Sequence, residues 1–125
     1  MIVGFGIDIM DLRRLDEKKI DRLKTKVLTD QEVQVLSGCK SLKRKKEFFS
    51  GRFCAREAFY KATGRGVRDF ELNTIKVSVD ENGKPFLEIP EEQLSFYFSR
   101  KCSVFLTITH DGEYTLAGVI VEASD

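Results

Sequence analysis

The chain contains no tryptophan, one histidine, two prolines and three cysteines in 125 residues. The cysteines, Cys39, Cys54 and Cys102, are odd in number and never form a Cys-x-x-Cys pair, so the sequence indicates neither a disulfide framework nor a thiolate zinc site. Free thiols are typical of a reducing compartment, so we expect a cytoplasmic protein. With few prolines and no low-complexity tract, nothing resembles an interdomain linker, and we expect a single domain over residues 1–125.

Neither sign of charge is in clear excess. Lys and Arg number 21 and Asp and Glu number 20, which leaves a formal net charge of +1. A protein that binds nucleic acid by bulk electrostatics normally has a marked basic excess, so this class is disfavoured. No segment approaches the roughly 18 consecutive apolar residues of a membrane span, and the first residues lack the basic start of a secretory signal. We therefore expect neither nucleic acid nor a membrane as partner.

The first helical pattern is amphipathic and basic. Over residues 11–23 the apolar side chains fall on one helical face, which predicts a helix of that length. A basic stripe with a spacing of four lies on another face and consists of Arg14, Lys18 and Arg22.

Two further helices follow with clear start and stop signals. Thr29-Asp30-Gln31-Glu32 is a capping box, and it predicts a short helix that stops at Gly38. Ser41 is placed to cap a long helix over residues 42–63, with Gly64 in the usual position of a C-terminal glycine.

The remaining segments alternate with period two and predict strands. Residues 2–9 form the first strand, with Asp8 at its end and two glycines that let another backbone come close. The later strands are predicted over residues 75–79, 86–89, 104–108 and 114–122, with hairpin turns at Asn82-Gly83 and Asp111-Gly112 and a short helix after Pro90 over residues 94–98. The fold class is therefore α+β.

Charged side chains interrupt an aromatic stripe on the long helix. Phe49, Phe53, Glu57 and Lys61 follow one another at intervals of four. One interpretation is a structural ion pair between Glu57 and Lys61, with Asp8 as a cap of the next helix. The other is a metal site, because two carboxylates from Asp8 and Glu57 are the hard oxygen ligands that Mg²⁺ prefers.

Two other positions carry weaker signals. Gly64-Arg65-Gly66 either brings bare backbone and a guanidinium to a phosphate or simply ends the helix. His110, the only histidine, is either a functional residue or a structural residue beside the turn.

Four separated motifs resemble those of the holo-acyl-carrier-protein synthases, the small bacterial 4′-phosphopantetheinyl transferases. They are Gly-Ile-Asp-Ile at residues 6–9, F-F-S-G-R-F-C-A-R-E-A-F-Y-K-A-T-G-R-G at 48–66, Asn-Gly-Lys-Pro at 82–85 and Thr-Ile-Thr-His-Asp at 107–111. The resemblance implies the fold of that family, an antiparallel sheet packed with a long central helix. Two departures are mild: Arg56 stands where a lysine is common, and Thr-Ile-Thr replaces Ser-Ile-Ser.

The resemblance implies an activity and a set of site residues. The family transfers the phosphopantetheine arm of coenzyme A to a serine of apo-acyl carrier protein, releases adenosine 3′,5′-bisphosphate and requires Mg²⁺ or a similar ion. By this resemblance, Asp8 and Glu57 are the metal-binding carboxylates, and Lys61 is the catalytic lysine beside the coenzyme A pyrophosphate. The positions implied for coenzyme A binding are Lys43, Arg52, Gly64 and His110.

The resemblance also implies partners. Acyl carrier proteins are acidic and dock on the corresponding helix of the family, so we expect docking at Arg14, Lys18 and Arg22. The family's enzymes form homotrimers with active sites between subunits. The alternative is a small nucleic-acid-binding or scaffold domain that uses the basic helix and the basic run at residues 43–46, but it leaves Asp8 and Glu57 unexplained.

Overall fold

The computed structural model describes residues 1–124. Its strands are β1 (Ile2–Asp11), β2 (Lys76–Val79), β3 (Pro85–Glu88), β4 (Cys102–Asp111) and β5 (Tyr114–Ala123). Its helices are α1 (Glu17–Val27), α2 (Asp30–Ser37), α3 (Leu42–Ala62) and α4 (Glu91–Tyr97), and 3₁₀ turns lie at Leu12–Arg14 and Leu72–Thr74. The predicted α+β class is confirmed.

The strands form two antiparallel sheets. The larger has the order β1-β5-β4, so β1 is an edge strand, and the smaller is the β2-β3 hairpin. The register pairs Asp8 with Ala117 and Thr115 with His110, so these side chains share the sheet face that packs on α3.

Helix α3 lies against the inner face of the larger sheet at very short range. A side chain at Gly4 or Gly6 of β1 would collide with the carbonyl oxygens of Ala62 and Ala58. The predicted close approach of another backbone to this strand is therefore confirmed. It sets the short distance between α3 and β1. One continuous buried core, from Leu15 to Val121 in the chain, surrounds this contact.

The prediction of one helix over residues 11–23 is wrong at its start. Asp11 accepts a hydrogen bond from the Arg13 amide and caps a 3₁₀ turn, the chain becomes extended at Leu15, and Asp16 then caps α1. Two capping carboxylates thus start two separate elements. The periodicity did not distinguish them, because Leu12 and Leu15 are both buried at a helical spacing. Arg14 consequently lies in the 3₁₀ turn and not on the same helix as Lys18.

Other boundaries agree within a few residues. The capping box at Thr29 is complete, α2 ends at Gly38, and Ser41 caps α3. β1 continues to Asp11, so Asp8 lies inside a strand and does not cap a helix, which removes that interpretation. The second hairpin turns at Gly112-Glu113, one residue later than predicted, since Asp111 still pairs with Tyr114. None of the helices described has the length and apolarity needed to cross a bilayer.

Candidate active site

Asp8 and Lys61 meet at the edge of the sheet, although 53 residues separate them in the chain. The Lys61 Nζ donates to Asp8 Oδ1 over 2.8 Å. Asp8 is 8% exposed, whereas the Lys61 side chain is 53% exposed. The hydrogen bond to Asp8 raises the pKa of Lys61 above its ordinary value, with the negative charges of Asp8 and Glu57 acting in the same direction. Lys61 therefore carries a stable positive charge at neutral pH.

Glu57 lies one helical turn before Lys61 on α3 and is half-buried. Its Oε1 accepts from the Arg68 Nη1 in the segment that follows α3. The structural ion pair between Glu57 and Lys61 is therefore absent among the described residues: each of the two takes a different partner. Sequence reasoning missed Arg68, and no local pattern identifies it, because its pairing depends on how the segment after α3 folds back.

Cys54 lies beside this charged group and is fully buried. Burial raises the pKa of its thiol, and the negative charge of Asp8 raises it further. The thiol therefore stays neutral, as expected of a packing residue without a catalytic role.

His110 belongs to a different part of the same sheet face. From strand spacing, its Cα lies roughly 12 Å from that of Asp8. The His110 Nδ1 lies 2.8 Å from Thr115 Oγ1, and Thr115 Oγ1 lies 2.7 Å from Ser50 Oγ. Thr115 was missed from the sequence, although the antiparallel register across the Asp111 turn places it directly opposite His110.

Of the other residues expected to bind coenzyme A, Lys43 and Arg52 lie away from Asp8, whereas Gly64 directly follows the end of α3 that bears Lys61. Lys43 is exposed in the first turn of α3, and 18 helical residues place it roughly 27 Å from Lys61 along the axis. The Arg52 Nε lies 3.3 Å from Glu32 Oε2, and its guanidinium stacks 4.6 Å over the Phe48 ring. Gly64 follows α3 with a φ of 76°, as predicted for a C-terminal glycine.

Arg52, Arg56 and Tyr60 follow one another at intervals of four on another face of α3, and this face is largely buried. Arg56 is 0% exposed, donates from Nε to the Ile75 carbonyl over 2.9 Å, and places Nη2 2.8 Å from Glu32 Oε1. Burial lowers the pKa of Arg56, and Glu32 opposes that shift. This cluster joins α2, α3 and the segment before β2, so it holds the fold together.

The residues expected to dock a carrier protein form an exposed basic surface. Arg14, Lys18 and Arg22 are exposed and, within residues 1–124, form no ion pair. Their basic neighbours Arg13 and Lys24 are paired with Asp11 and Asp21. The three predicted positions therefore carry unpaired positive charges, as the exposed Lys19 and Lys26 of α1 also do among the described residues.

Asp8 and Glu57 present a donor set that suits Mg²⁺. The part of the chain described here has no group of three or more His, Cys, Asp or Glu side chains that would enclose a metal. Mg²⁺ is commonly held by one or two carboxylates and completed by water and substrate phosphates, so two carboxylates beside an open edge fit it. In this structure both carboxylates instead contact cationic side chains, Lys61 and Arg68.

Comparison with known proteins defines the class. The chain matches the 4′-phosphopantetheinyl transferase superfamily over residues 4–117. It belongs to this superfamily.

Individual relatives are more specific. A holo-[acyl-carrier-protein] synthase of Bacillus cereus (strain AH187) is 39% identical over 99% of this chain and 98% of its own length. A crystal structure of a holo-(acyl-carrier-protein) synthase from Bacillus anthracis in complex with CoA (3′,5′-ADP) matches with a TM-score of 0.82, 39% identity and 99% coverage of both chains. One from Neisseria meningitidis matches with a TM-score of 0.81 and 28% identity over 98% of this chain and 99% of its own.

These matches confirm the resemblance to holo-acyl-carrier-protein synthases and the fold it implies. They do not favour the alternative of a nucleic-acid-binding or scaffold domain.

Proposed function

We propose that this chain transfers the 4′-phosphopantetheine group of coenzyme A to a serine of apo-acyl carrier protein, in support of fatty acid biosynthesis. The products are holo-acyl carrier protein and adenosine 3′,5′-bisphosphate. The observation that carries the proposal is the convergence of Asp8 and Lys61, with Glu57 one turn away, in a chain of this superfamily. We place the reaction in the cytoplasm, since Cys39, Cys54 and Cys102 are free thiols, which a reducing compartment maintains.

The reaction exchanges one phosphorus–oxygen bond for another. The serine oxygen bonds to the phosphorus next to pantetheine, and the bond from that phosphorus to the departing bisphosphate breaks. We assign Asp8 and Glu57 to hold Mg²⁺, which when bound would neutralise the pyrophosphate and polarise the phosphorus under attack.

Lys61 and Glu57 have further roles in this scheme. The Lys61 ammonium, kept charged by Asp8, stabilises the negative charge that develops on the leaving phosphate or protonates it. The serine proton passes to Glu57 or to water.

We also propose that the chain acts as a single domain over residues 1–125 and assembles as a homotrimer. The sheet face turned away from α3 carries a row of apolar side chains in register across three strands: Phe5 (63% exposed), Ile120 (38%) and Phe105 (50%). Monomeric proteins rarely leave such a continuous patch in water, so the row favours burial against other copies of this chain.

The positions of the coenzyme-binding residues also favour a shared site. Lys43 and Lys61 are on one side of α3 but five turns apart. We therefore propose that a coenzyme A held by Asp8 and Lys61 of one subunit is completed by Lys43, Arg52, Gly64 and His110 distributed over two neighbouring subunits.

Sedimentation tests the assembly. The expected mass is three times that of the 14.3 kDa chain, and Phe5→Glu with Phe105→Glu is expected to give monomers. Phe96, which is 52% exposed on α4, offers a matched control: Phe96→Glu leaves the trimer intact. A monomeric wild-type chain would contradict the trimer without touching the catalytic proposal.

The exposed basic surface is proposed to dock the carrier. Arg14, Lys18 and Arg22 lie directly after β1, the strand that bears Asp8. Acidic carrier proteins complement these unpaired charges, and such complementarity acts mainly on association.

Intact-mass spectrometry tests the activity. Apo-acyl carrier protein incubated with this protein, coenzyme A and Mg²⁺ is expected to gain about 340 Da, one phosphopantetheinyl group, and EDTA is expected to prevent the gain. No gain with a carrier that another transferase modifies would reject the proposed function for that carrier class. Gain that persists in EDTA would reject the metal assignment alone.

A further inference from the structure

The hydroxyl groups of Thr115 and Ser50 connect His110 to the interior of α3 through two hydrogen bonds. Thr115 and Ser50 are both 0% exposed, whereas His110 is exposed at the end of β4. The His110 Cε1 and Nε2 lie 3.8 Å from the position that a side chain at Gly51 would occupy, so this edge of the ring lies over bare helix backbone. The other nitrogen, Nδ1, points into the protein and bonds to Thr115.

The direction of each hydrogen bond follows from counting protons. A hydroxyl group has one proton to donate. Ser50 Oγ donates its proton to the Glu47 carbonyl at 3.2 Å, so in the 2.7 Å contact between Ser50 and Thr115 the donor is Thr115. The single proton of Thr115 is then used, and its oxygen accepts from His110. His110 Nδ1 must therefore carry a proton.

We propose that Thr115 is a positioning residue which, together with Ser50, fixes His110 in the Nδ1–H form and orients its ring so that Nε2 is the nitrogen that meets coenzyme A. The inference deepens the proposed function and rests on its assignment of His110 to coenzyme A binding. With Nδ1 bonded inward, any further proton is taken up at Nε2, which can then donate it to a phosphate oxygen.

These two hydrogen bonds explain why a hydroxyl group is needed at position 115. Without the Thr115 hydroxyl, Nδ1–H would face a buried apolar group, and an unpaired buried donor is costly. The ring would then turn over or move its proton to Nε2. In either case Nε2 loses its defined role.

Nitrogen NMR on the histidine ring tests the proposal directly. His110 is the only histidine, so ¹⁵N-histidine labelling gives two ring signals that need no assignment to residue. In neutral wild-type protein the proton is expected on Nδ1. In Thr115→Val, which keeps the shape and removes the hydroxyl, it is expected on Nε2, and in Thr115→Ser it is expected to return to Nδ1. A wild-type proton on Nε2, or no change in Thr115→Val, would overturn the proposal.

Kinetics separate this inference from the proposed function. Thr115→Val is expected to raise the KM for coenzyme A about three- to tenfold, with the KM for the carrier unchanged and Thr115→Ser near wild type. A purely packing role gives the reverse order, since serine loses the methyl group and valine keeps it. That order would overturn the inference.

His110→Ala supplies the remaining control. If it leaves the KM for coenzyme A unchanged, the contact between His110 and coenzyme A is wrong, and with it the purpose assigned to Thr115, while the NMR result still measures the hydroxyl chain. Ser50→Ala covers the case in which Thr115→Val does not fold. It removes the constraint on the Thr115 proton and is expected to give a mixture of both ring forms, whereas an unchanged pure Nδ1–H form would contradict the proton count.

Discussion

Helix α3 carries two neighbouring polar faces, whose residues are offset from each other by one position in the sequence. The buried face consists of Arg52, Arg56 and Tyr60, and the site face consists of Glu57 and Lys61. Arg56 is completely buried and is bound both by Glu32 and by a backbone carbonyl, whereas the Lys61 side chain is half-exposed and bound only by Asp8 among the described residues.

This difference separates the structural charge of Arg56 from the charges that are proposed to act in the reaction. On the buried face the partners are fixed by the packing of several elements, and breaking one contact leaves another charge buried. On the site face each partner is a charged group at an open edge, which a metal or phosphate can replace. The two faces therefore predict opposite responses to mutation.

The largest effect is expected on activity at the site face. Asp8→Ala and Glu57→Ala are each expected to lower turnover by about 10²–10⁴-fold, since each removes a carboxylate that is proposed to hold the metal. Added Mg²⁺ should rescue poorly. The melting temperature should fall little, because the cationic partners Lys61 and Arg68 are about half-exposed and stay hydrated when the carboxylate is removed. Steady-state kinetics and calorimetry measure both quantities.

A surface carboxylate provides the matched control for that prediction. Glu88 on β3 is exposed and bonds only to Ser78 among the described side chains, and Glu88→Ala is expected to leave turnover unchanged. Full activity in Asp8→Ala or Glu57→Ala would end the assignment of the site.

A substitution on the buried face should mainly lower the free energy of unfolding. Arg56→Met leaves Glu32 buried without its main partner, and we expect a loss of about 3 kcal/mol, seen as a fall in Tm of roughly 10 °C. Activity per folded molecule should stay near wild type at low temperature. Arg44→Met, on an exposed position of the same helix, is the control with little change.

A second variant sharpens the same point. Combining Arg56→Met with Glu32→Gln should recover part of the lost stability, because the unpaired buried charge is then removed. If Arg56→Met is as stable as the wild type, the buried face does not hold the fold in the way argued.

Substitutions on the proposed docking surface should affect the carrier protein alone, and not the site or the buried cluster on α3. Replacing Arg14 and Arg22 by glutamate is expected to raise the KM for the carrier roughly tenfold, to weaken its salt dependence and to leave coenzyme A binding unchanged. Lys76→Glu with Lys101→Glu makes the same change in net charge at exposed positions elsewhere. An equal effect of both pairs would show that only net charge matters, which contradicts docking at this surface.

The smallest effect concerns Tyr60, whose hydroxyl donates to Gln93 Oε1 over 3.3 Å. Burial raises its pKa from 10.0 to about 12. Because the folded-state pKa is the higher one, the protonated phenol's contribution is complete below pH 10 and is lost as the pH rises through about 12.

Urea unfolding across that pH range measures this contribution. Tyr60→Phe is expected to lose stability less steeply with pH than the wild type does. Tyr114→Phe, which changes a tyrosine that is 44% exposed, should keep the wild-type slope. Equal slopes in wild type and Tyr60→Phe would contradict the burial effect.

Local signals predicted most of the fold. The capping box at Thr29, the Ser41 cap and the alternation in β5 are properties of short segments, and their elements appear within one residue of the prediction. The start of α1 was missed, because two apolar residues at a helical spacing do not reveal that a 3₁₀ turn joins them and that the chain becomes extended at Leu15.

The contacts of the candidate site could not be predicted from the sequence. The resemblance proposes Asp8, Glu57 and Lys61 as site residues, but the bond from Lys61 to Asp8 depends on α3 packing against Gly6, which joins distant parts of the chain. The burial of Arg56 was missed for a related reason: its partner Glu32 was already explained as part of a capping box.

The most direct test of the central claim is a count of bound divalent ions. Mn²⁺, a hard ion that carboxylates and phosphates also bind, can be followed by its electron paramagnetic resonance signal in the presence of coenzyme A. The account predicts about one ion per chain in the wild type and in Arg56→Met, and none in Asp8→Ala or Glu57→Ala. Undiminished Mn²⁺ binding in both carboxylate variants would show that the metal site lies elsewhere and would contradict the account.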